Sequence, residues 1–274
     1  MRRITLIGKT SFIAKSLREY GIGQSWQWLS HQEALEQSEW IKNTDCIINL
    51  AYAPDLRYQN YNPKSDVDSQ LAHKVQEHNI HYIMLSSRIV YGQQHNGYEL
   101  HEDMPVAPNS IYGINKHIIE GKLCDILDPE RVTILRPSNI FGFEPARKSF
   151  FGIALTKLHA EGRITYDMSP FVKRDFFAVK RFGEALNIIA NNPKSGIYNI
   201  GSGFGTETGL IAEWLIEGFG GKGELLITDM RRHDIFWLNM DKTYSTFNLA
   251  KADQDDLRQD CIKCGVDLRG LPIS

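Results

Sequence analysis

The chain has 274 residues, 42% of them hydrophobic and 23% charged, with a net charge of −2. That length suits one large domain, or a domain with a small lobe. The near-neutral balance gives no electrostatic case for nucleic acid or an anionic membrane. No apolar run approaches the ~20 residues that span a bilayer, and strand-like sequence starts at Arg3 with no signal-peptide pattern, so a cytoplasmic location is expected.

In chain order, residues 4–7 read as a first strand and 11–20 as its helix. Residues 25–29 form a weak second strand and 46–50 a third, introduced by Asp45. Val67, Leu71 and Val75 give 65–78 a helical period. A strand over 82–86, a helix over 111–127 and a strand over 132–135 follow. Beyond Arg136 the pattern loosens: 151–159, 181–190 and 208–219 read as helices, and 196–200 as one more strand. Alternation of β-branched runs with amphipathic stretches predicts βαβ units and a parallel sheet. The expected fold is α/β, a Rossmann-type doubly wound parallel sheet over 1–140 with a smaller C-terminal α/β substrate lobe over 141–274. Segments such as 174–203 would contribute to both parts.

Three places carry chemistry. Gly8-Lys9-Thr10-Ser11-Phe12-Ile13-Ala14 follows the first strand and opens a helix, the setting of a dinucleotide loop. Gly8 can make the tight turn, while Ser11 and Ala14 stand where the second and third glycines would be. A plain βα turn is the alternative reading. If the loop holds a dinucleotide, a Gly8→Val side chain should clash in the phosphate site rather than in the core. Next, Ser30, His31 and Gln32 follow the second strand where a carboxylate would bind ribose hydroxyls. That absence gives NADP a small edge over NAD. Finally, Tyr112 and Lys116 lie one helical turn apart, on one face. An ammonium beside a phenol favours its anionic form and can make tyrosine a general acid/base. Ser86-Ser87 ends an apolar strand, so serine, tyrosine and lysine can converge on one substrate oxygen.

Other residues read more plainly. Cys261 and Cys264 form a lone C-x-x-C with no second pair, which reads as ordinary thiols. His73, His78, His81, His95, His101 and His117 have no metal-ligand spacing, and no metal is assigned. Asn139 reads as a substrate contact or a turn residue. Arg174 reads as a phosphate-pairing fork or a surface charge.

Together these motifs resemble the extended short-chain dehydrogenase/reductases, in particular the nucleotide-sugar epimerase/dehydratase/reductase group. The resemblance runs from residue 4 to about 203. It is carried by 45–51, by Ser86-Ser87-x-x-Val90-Tyr91-Gly92, and by Pro108-x-x-x-Tyr112 with Lys116 and Glu120. Arg136-Pro137-Ser138-Asn139, Arg174-Asp175-Phe176 and Tyr198-Asn199-Ile200-Gly201 complete it. The resemblance implies catalysis by Ser87, Tyr112 and Lys116. It implies a cofactor held by Gly8, Ser11, Phe12, Ile13, Ser30, Leu50, Ala51, Pro137 and Ser138 together with Tyr112 and Lys116. A nucleotide sugar would meet Ser87, Asn139 and Arg174, and the usual assembly would be a homodimer. A 4-keto sugar reductase using NADPH is the leading expectation, a 4-epimerase retaining NAD the nearest rival, and a non-catalytic cofactor-binding relative the third. Ser87-Arg88-Ile89 lacks the carboxylate pair of a dehydratase. Asp66 and Lys180-Arg181 depart from the family's usual asparagine and paired aspartates.

Overall fold

The computed structural model describes residues 2–93 and 97–272, so His95 lies outside the described residues. The first half runs β1 (Ile4–Ile7), α1 (Phe12–Glu19), β2 (Gln27–Leu29), α2 (His31–Glu36), β3 (Cys46–Asn49), α3 (Val67–Val75) and β4 (His81–Leu85). Then come β5 (Tyr98–Leu100), α4 (Ile111–Ile126), β6 (Val132–Pro137) and β7 (Asn139–Phe141). The second half holds α5 (Phe150–Glu161), β8 (Arg163–Tyr166), β9 (Lys173–Arg174), β10 (Phe176–Ala178), α6 (Val179–Asn191) and β11 (Gly196–Ile200). It closes with β12 (Thr206–Glu207), α7 (Thr208–Gly218), β13 (Glu224–Ile227), β14 (Phe236–Leu238), α8 (Asp241–Phe247) and α9 (Gln254–Arg269).

The main sheet has six parallel strands in the order β11-β6-β4-β3-β1-β2. Its strands β1, β3 and β6 are buried at every position, as continuous apolar runs must be when helices cover both faces. On one face Ala14 and Leu17 of α1 pack with Phe182, Leu186 and Ile189 of α6. On the other, Ala34 of α2, Leu71 and Val75 of α3, and Ile119 and Leu123 of α4 cover Met84 and Ile134. The expected doubly wound Rossmann-type sheet is therefore present. Side-chain caps start the helices: Ser11, Ser30, Asp66, Ser110 and Ser149 each accept a backbone N–H of the first turn. Asp66 thus does a local job in place of the family's asparagine.

Residues 141–272 build a third core from α5, α7 and α9, with Phe151, Leu155, Leu158, Trp214, Leu215, Leu257 and Leu268. Small sheets surround it. Parallel β10 pairs β7, parallel β13 pairs β8, and a four-stranded sheet has the order β12-β9-β14-β5. The chain crosses between these regions repeatedly: β11 returns to the main sheet, and β5 leaves the first half to pair with β14. Arg181 pairs with Asp256 at 2.7 Å and Asp260 at 3.0 Å, tying α6 to α9, which gives the second departure from the family pattern a structural use.

Candidate active site

Strand order reverses about β1, with β2 on one side and β3 on the other, and open α/β sheets bind ligands at such a point. A cavity of about 480 Å³ opens there, within the range of ligand sites. Strand ends deliver residues to it: Ser11, Phe12 and Ile13 after β1, Leu50 and Ala51 after β3, and Ser87 after β4. Pro137, Ser138 and Asn139 come from the end of β6 and the start of β7, and Tyr112 and Lys116 from α4. Eleven of the fourteen residues expected at the site therefore line one cavity. Gly8, Ser30 and Arg174 do not line it.

The serine, tyrosine and lysine sit in a stiff frame. Lys116 is 3% exposed. Its Nζ donates to the Leu85 carbonyl at 2.6 Å and lies 4.2 Å over the Tyr52 ring. The same Tyr52 ring meets Tyr112 edge-on, centroids 5.3 Å apart. Beneath them Asp68 is fully buried and accepts from Asn49 and Tyr82 at 2.7 and 3.0 Å. Burial pushes its carboxyl up to about 6, against the pull of the Lys116 charge. Next to Ser87, Ser86 donates to Glu120 at 2.5 Å, and Glu120 takes both forks of Arg136 at 3.0 and 2.7 Å. Helix α4 is thereby fastened to the ends of β4 and β6. Ser87 itself accepts the Ile89 N–H at 3.3 Å and opens a single turn of 3-10 helix over Arg88–Tyr91.

The β1 loop turns at Gly8 with φ +98°. A Cβ there would stand 2.8 Å from Ala51 N and 3.0 Å from the Leu50 carbonyl carbon. This corrects the expectation that a larger residue would clash only in the phosphate site: the obstacle is the backbone leaving β3. Ser11 caps α1 through the Ala14 N–H at 3.2 Å. At the end of β2, Ser30 and Glu33 form a reciprocal capping box. Glu33 also holds the Lys9 ammonium at 2.6 Å, and that bond together with the Ser30 N–H keeps its carboxyl down at about 2. A carboxylate thus returns to the strand end from three residues further on.

Asn139 donates to the Asp175 carbonyl at 3.0 Å, across the β7–β10 pair. Asp175 is fully buried and accepts from Ser202, Gly203 and Leu238, so this part of the Arg-Asp-Phe segment is a structural knot. Arg174 donates to the Asp234 carbonyl at 3.1 Å and packs 5.8 Å over Phe150, a cavity residue. Cys261 and Cys264 are buried free thiols in the third core. Among the described residues no His, Cys, Asp and Glu group is placed to hold a metal ion, and no helix is long and apolar enough to cross a membrane.

The sequence profile of the NAD dependent epimerase/dehydratase family matches residues 15–201. The chain belongs to that family. It is accordingly an enzyme of the short-chain dehydrogenase/reductase type. The provisionally named UDP-glucose 4-epimerase of Methanocaldococcus jannaschii is 26% identical over 217 residues, which cover 73% of this chain and 70% of that one. RMD from Pseudomonas aeruginosa, solved with NADPH, has a TM-score of 0.78 at 19% identity and covers 98% of this chain and 99% of that one. UDP-N-acetylglucosamine 4-epimerase from Methanobrevibacter ruminantium, solved with UDP-N-acetylmuramic acid, scores 0.78 at 20% identity over 97% and 98%. These folds span the epimerase/dehydratase family chain from end to end.

Sequence reasoning missed Tyr52, Arg57, Glu144, Arg147 and Phe150, which also line the cavity. They come from the short turns and loops after β3 and β7 and from the first residue of α5, where no periodicity marks which side chains turn inward. For Tyr52 one signal existed, since it directly follows the Leu50-Ala51 segment already assigned to the site.

Proposed function

We propose that this enzyme interconverts a nucleotide-activated sugar and its 4-keto form with a nicotinamide dinucleotide, its net reaction being 4-epimerisation. The observation that carries this reading is the meeting of Ser87, Tyr112 and Lys116 in the cavity entered by the β1 loop. The positive-φ turn at Gly8 and the backbone so close beside it fit a loop on which a pyrophosphate can rest. A nicotinamide bound there supplies the redox chemistry. In the proposed roles Tyr112 takes the proton of the sugar hydroxyl and returns it, while Ser87 hydrogen-bonds the same oxygen. Lys116, held by Leu85 and Tyr52, supplies the positive charge that stabilises the phenolate. Asn139 faces the sugar, and Arg174 would reach a diphosphate only by leaving Asp234.

The sequence alone put a 4-keto reductase first. The Methanocaldococcus relative now supports the epimerase reading. The reductase remains the second reading because Ser30, not a carboxylate, directly follows β2 and the Lys9 ammonium lies on Glu33 of the helix that Ser30 caps. Glu33 holds that lysine, so a 2′-phosphate must compete for it. A dehydratase is disfavoured because Arg88, directly after Ser87, is committed to both oxygens of Asp234 at 2.7 and 2.5 Å. Within the same reading, 1–140 forms the dinucleotide-binding part and 141–274 the substrate lobe, and the enzyme works as a homodimer.

Mass spectrometry of the nucleotide that copurifies, followed by incubation with UDP-glucose, decides between them. Retained NAD and formation of UDP-galactose support the epimerase. An empty protein that oxidises NADPH only with a 4-keto sugar supports the reductase. Failure to bind either dinucleotide rules out both.

A further inference from the structure

The charged residues lining the cavity are Arg57, Lys116 and Arg147 against one carboxylate, Glu144. Lys116 is held by a carbonyl and a ring face, and the two guanidinium groups likewise rest on ring faces, with no carboxylate among the described residues bound to either. Arg57 ends a 3-10 turn over Pro54–Arg57, its guanidinium carbon 5.0 Å from the centre of the Tyr112 ring. Asn115 fixes that turn by donating to the Leu56 and Gln59 carbonyls, both at 2.8 Å. Arg147 comes from the loop between β7 and α5 and lies 4.3 Å over the ring of Phe12, donating to the Ile140 carbonyl at 3.2 Å. Among the described residues neither arginine has an ion-pair partner, and Glu144 makes none with them. Burial lowers the pKa of Arg147; the nearby Glu144 charge opposes that shift, and the neighbouring charge of Arg57 adds to it. Arg57, Lys116 and Arg147 facing the single carboxylate of Glu144 leave the cavity with an excess of positive charge, which is unfavourable in the protein alone. An oxyanion between the two arginines reverses the sign, and guanidinium forks match phosphate oxygens.

We propose that Arg147, with Arg57 beside it, is the receptor for the pyrophosphate of the dinucleotide and closes on it from the side facing the β1 loop. Phe12, on which Arg147 packs, is the first residue of α1, so the guanidinium stands where the helix start and the cofactor phosphates would meet. This also accounts for the altered loop. With Ser11 and Ala14 in place of two glycines the backbone approaches phosphate less freely, and an arginine from the opposite wall supplies the missing attraction. The inference rests on the nicotinamide reading above. A substrate diphosphate has the same chemistry, so the test must separate the two sources.

Calorimetric titration of wild type, Arg147→Gln, Arg147→Lys and Arg57→Gln with NADH, NADPH and UDP makes that separation. Arg147→Gln is expected to weaken both dinucleotides roughly ten- to hundredfold, the worth of a charged hydrogen-bond pair. UDP affinity stays unchanged, and Arg147→Lys recovers part of the loss. The ligand-free variant is expected to keep a cooperative melt, having lost only the Ile140 hydrogen bond and part of the Phe12 contact, and this keeps the result distinct from misfolding. Unchanged dinucleotide affinity in Arg147→Gln overturns the assignment, as does a loss confined to UDP. Wild type that binds no dinucleotide would instead overturn the nicotinamide reading itself, and the inference with it.

Discussion

Tyr112 has its ring fixed by Tyr52 and its helix fixed by the Glu120–Arg136 pair, so removing its hydroxyl changes chemistry and little else. Tyr112→Phe is expected to lower turnover by two to four orders of magnitude, roughly the worth of a general acid/base, with dinucleotide affinity retained. Steady-state rates beside a binding titration check this, and wild-type turnover would sink the assignment. A second residue-scale test lies at the end of β2. Because Glu33 holds Lys9 at 2.6 Å, Glu33→Gln should release the lysine and raise NADPH affinity relative to NADH. In wild type, with Lys9 already paired to Glu33, NADH is expected to bind at least as tightly as NADPH. Fluorescence titration reads both comparisons, and an unaltered ratio in the variant would place the adenosine ribose away from this pair.

Among the elements, the β1 turn joins local conformation to packing. Gly8→Val must leave the φ +98° conformation and push against the backbone of Leu50 and Ala51. It is therefore expected to weaken dinucleotide binding and also to lower the melting temperature, whereas Ser11→Gly costs only a few tenths of a kcal/mol of helix capping. Thermal melts of both variants check this, and a Gly8→Val protein that melts like wild type would show that the loop rearranges freely. The elements around this turn were legible because their apolar periods are strong. Helix 11–20 became α1 with Ser11 as its cap, and 181–190 became α6. The second strand begins at Gln27 rather than 25, since Trp26 still belongs to a turn in which its N–H bonds Gly23. Later elements were harder to read. β13 and β14 are short and pair with β8, β5 and β9, so their partners lie far away in sequence. In α9 the sequence does carry a helical signal: Leu257, Cys261, Cys264 and Leu268 fall on one face, so the two cysteines are core residues of a helix. The cavity residues from strand ends were legible as motifs, but Arg57 and Arg147 meet only through tertiary structure.

For the molecule as a whole, one contribution to acid sensitivity comes from a histidine remote from the cavity. The Thr133 hydroxyl donates to the Lys194 carbonyl and so accepts from His81 Nε2–H at 2.7 Å, a bond open to either charge state of the ring. Burial, helped by the charges of Arg2 and Arg131, pushes its pKa down to about 4 from an ordinary 6.5. The stabilisation is complete above pH 6.5 and is lost as pH falls from there through 4. His81→Gln is expected to melt with a flatter pH dependence across that window, and calorimetry at several pH values would show parallel curves if this is wrong. Asp68, with its carboxyl near 6, acts in the opposite sense but is common to both proteins. The strand exchange that joins the two halves has a consequence in time. β5 ends at Leu100, while its partner β14 begins at Phe236. At cellular synthesis rates that gap corresponds to on the order of ten seconds. Throughout that interval the nascent chain carries a bare strand edge of the kind that recruits other chains. A strand of only three residues, with Glu99 at its centre, offers a growing aggregate very little to extend.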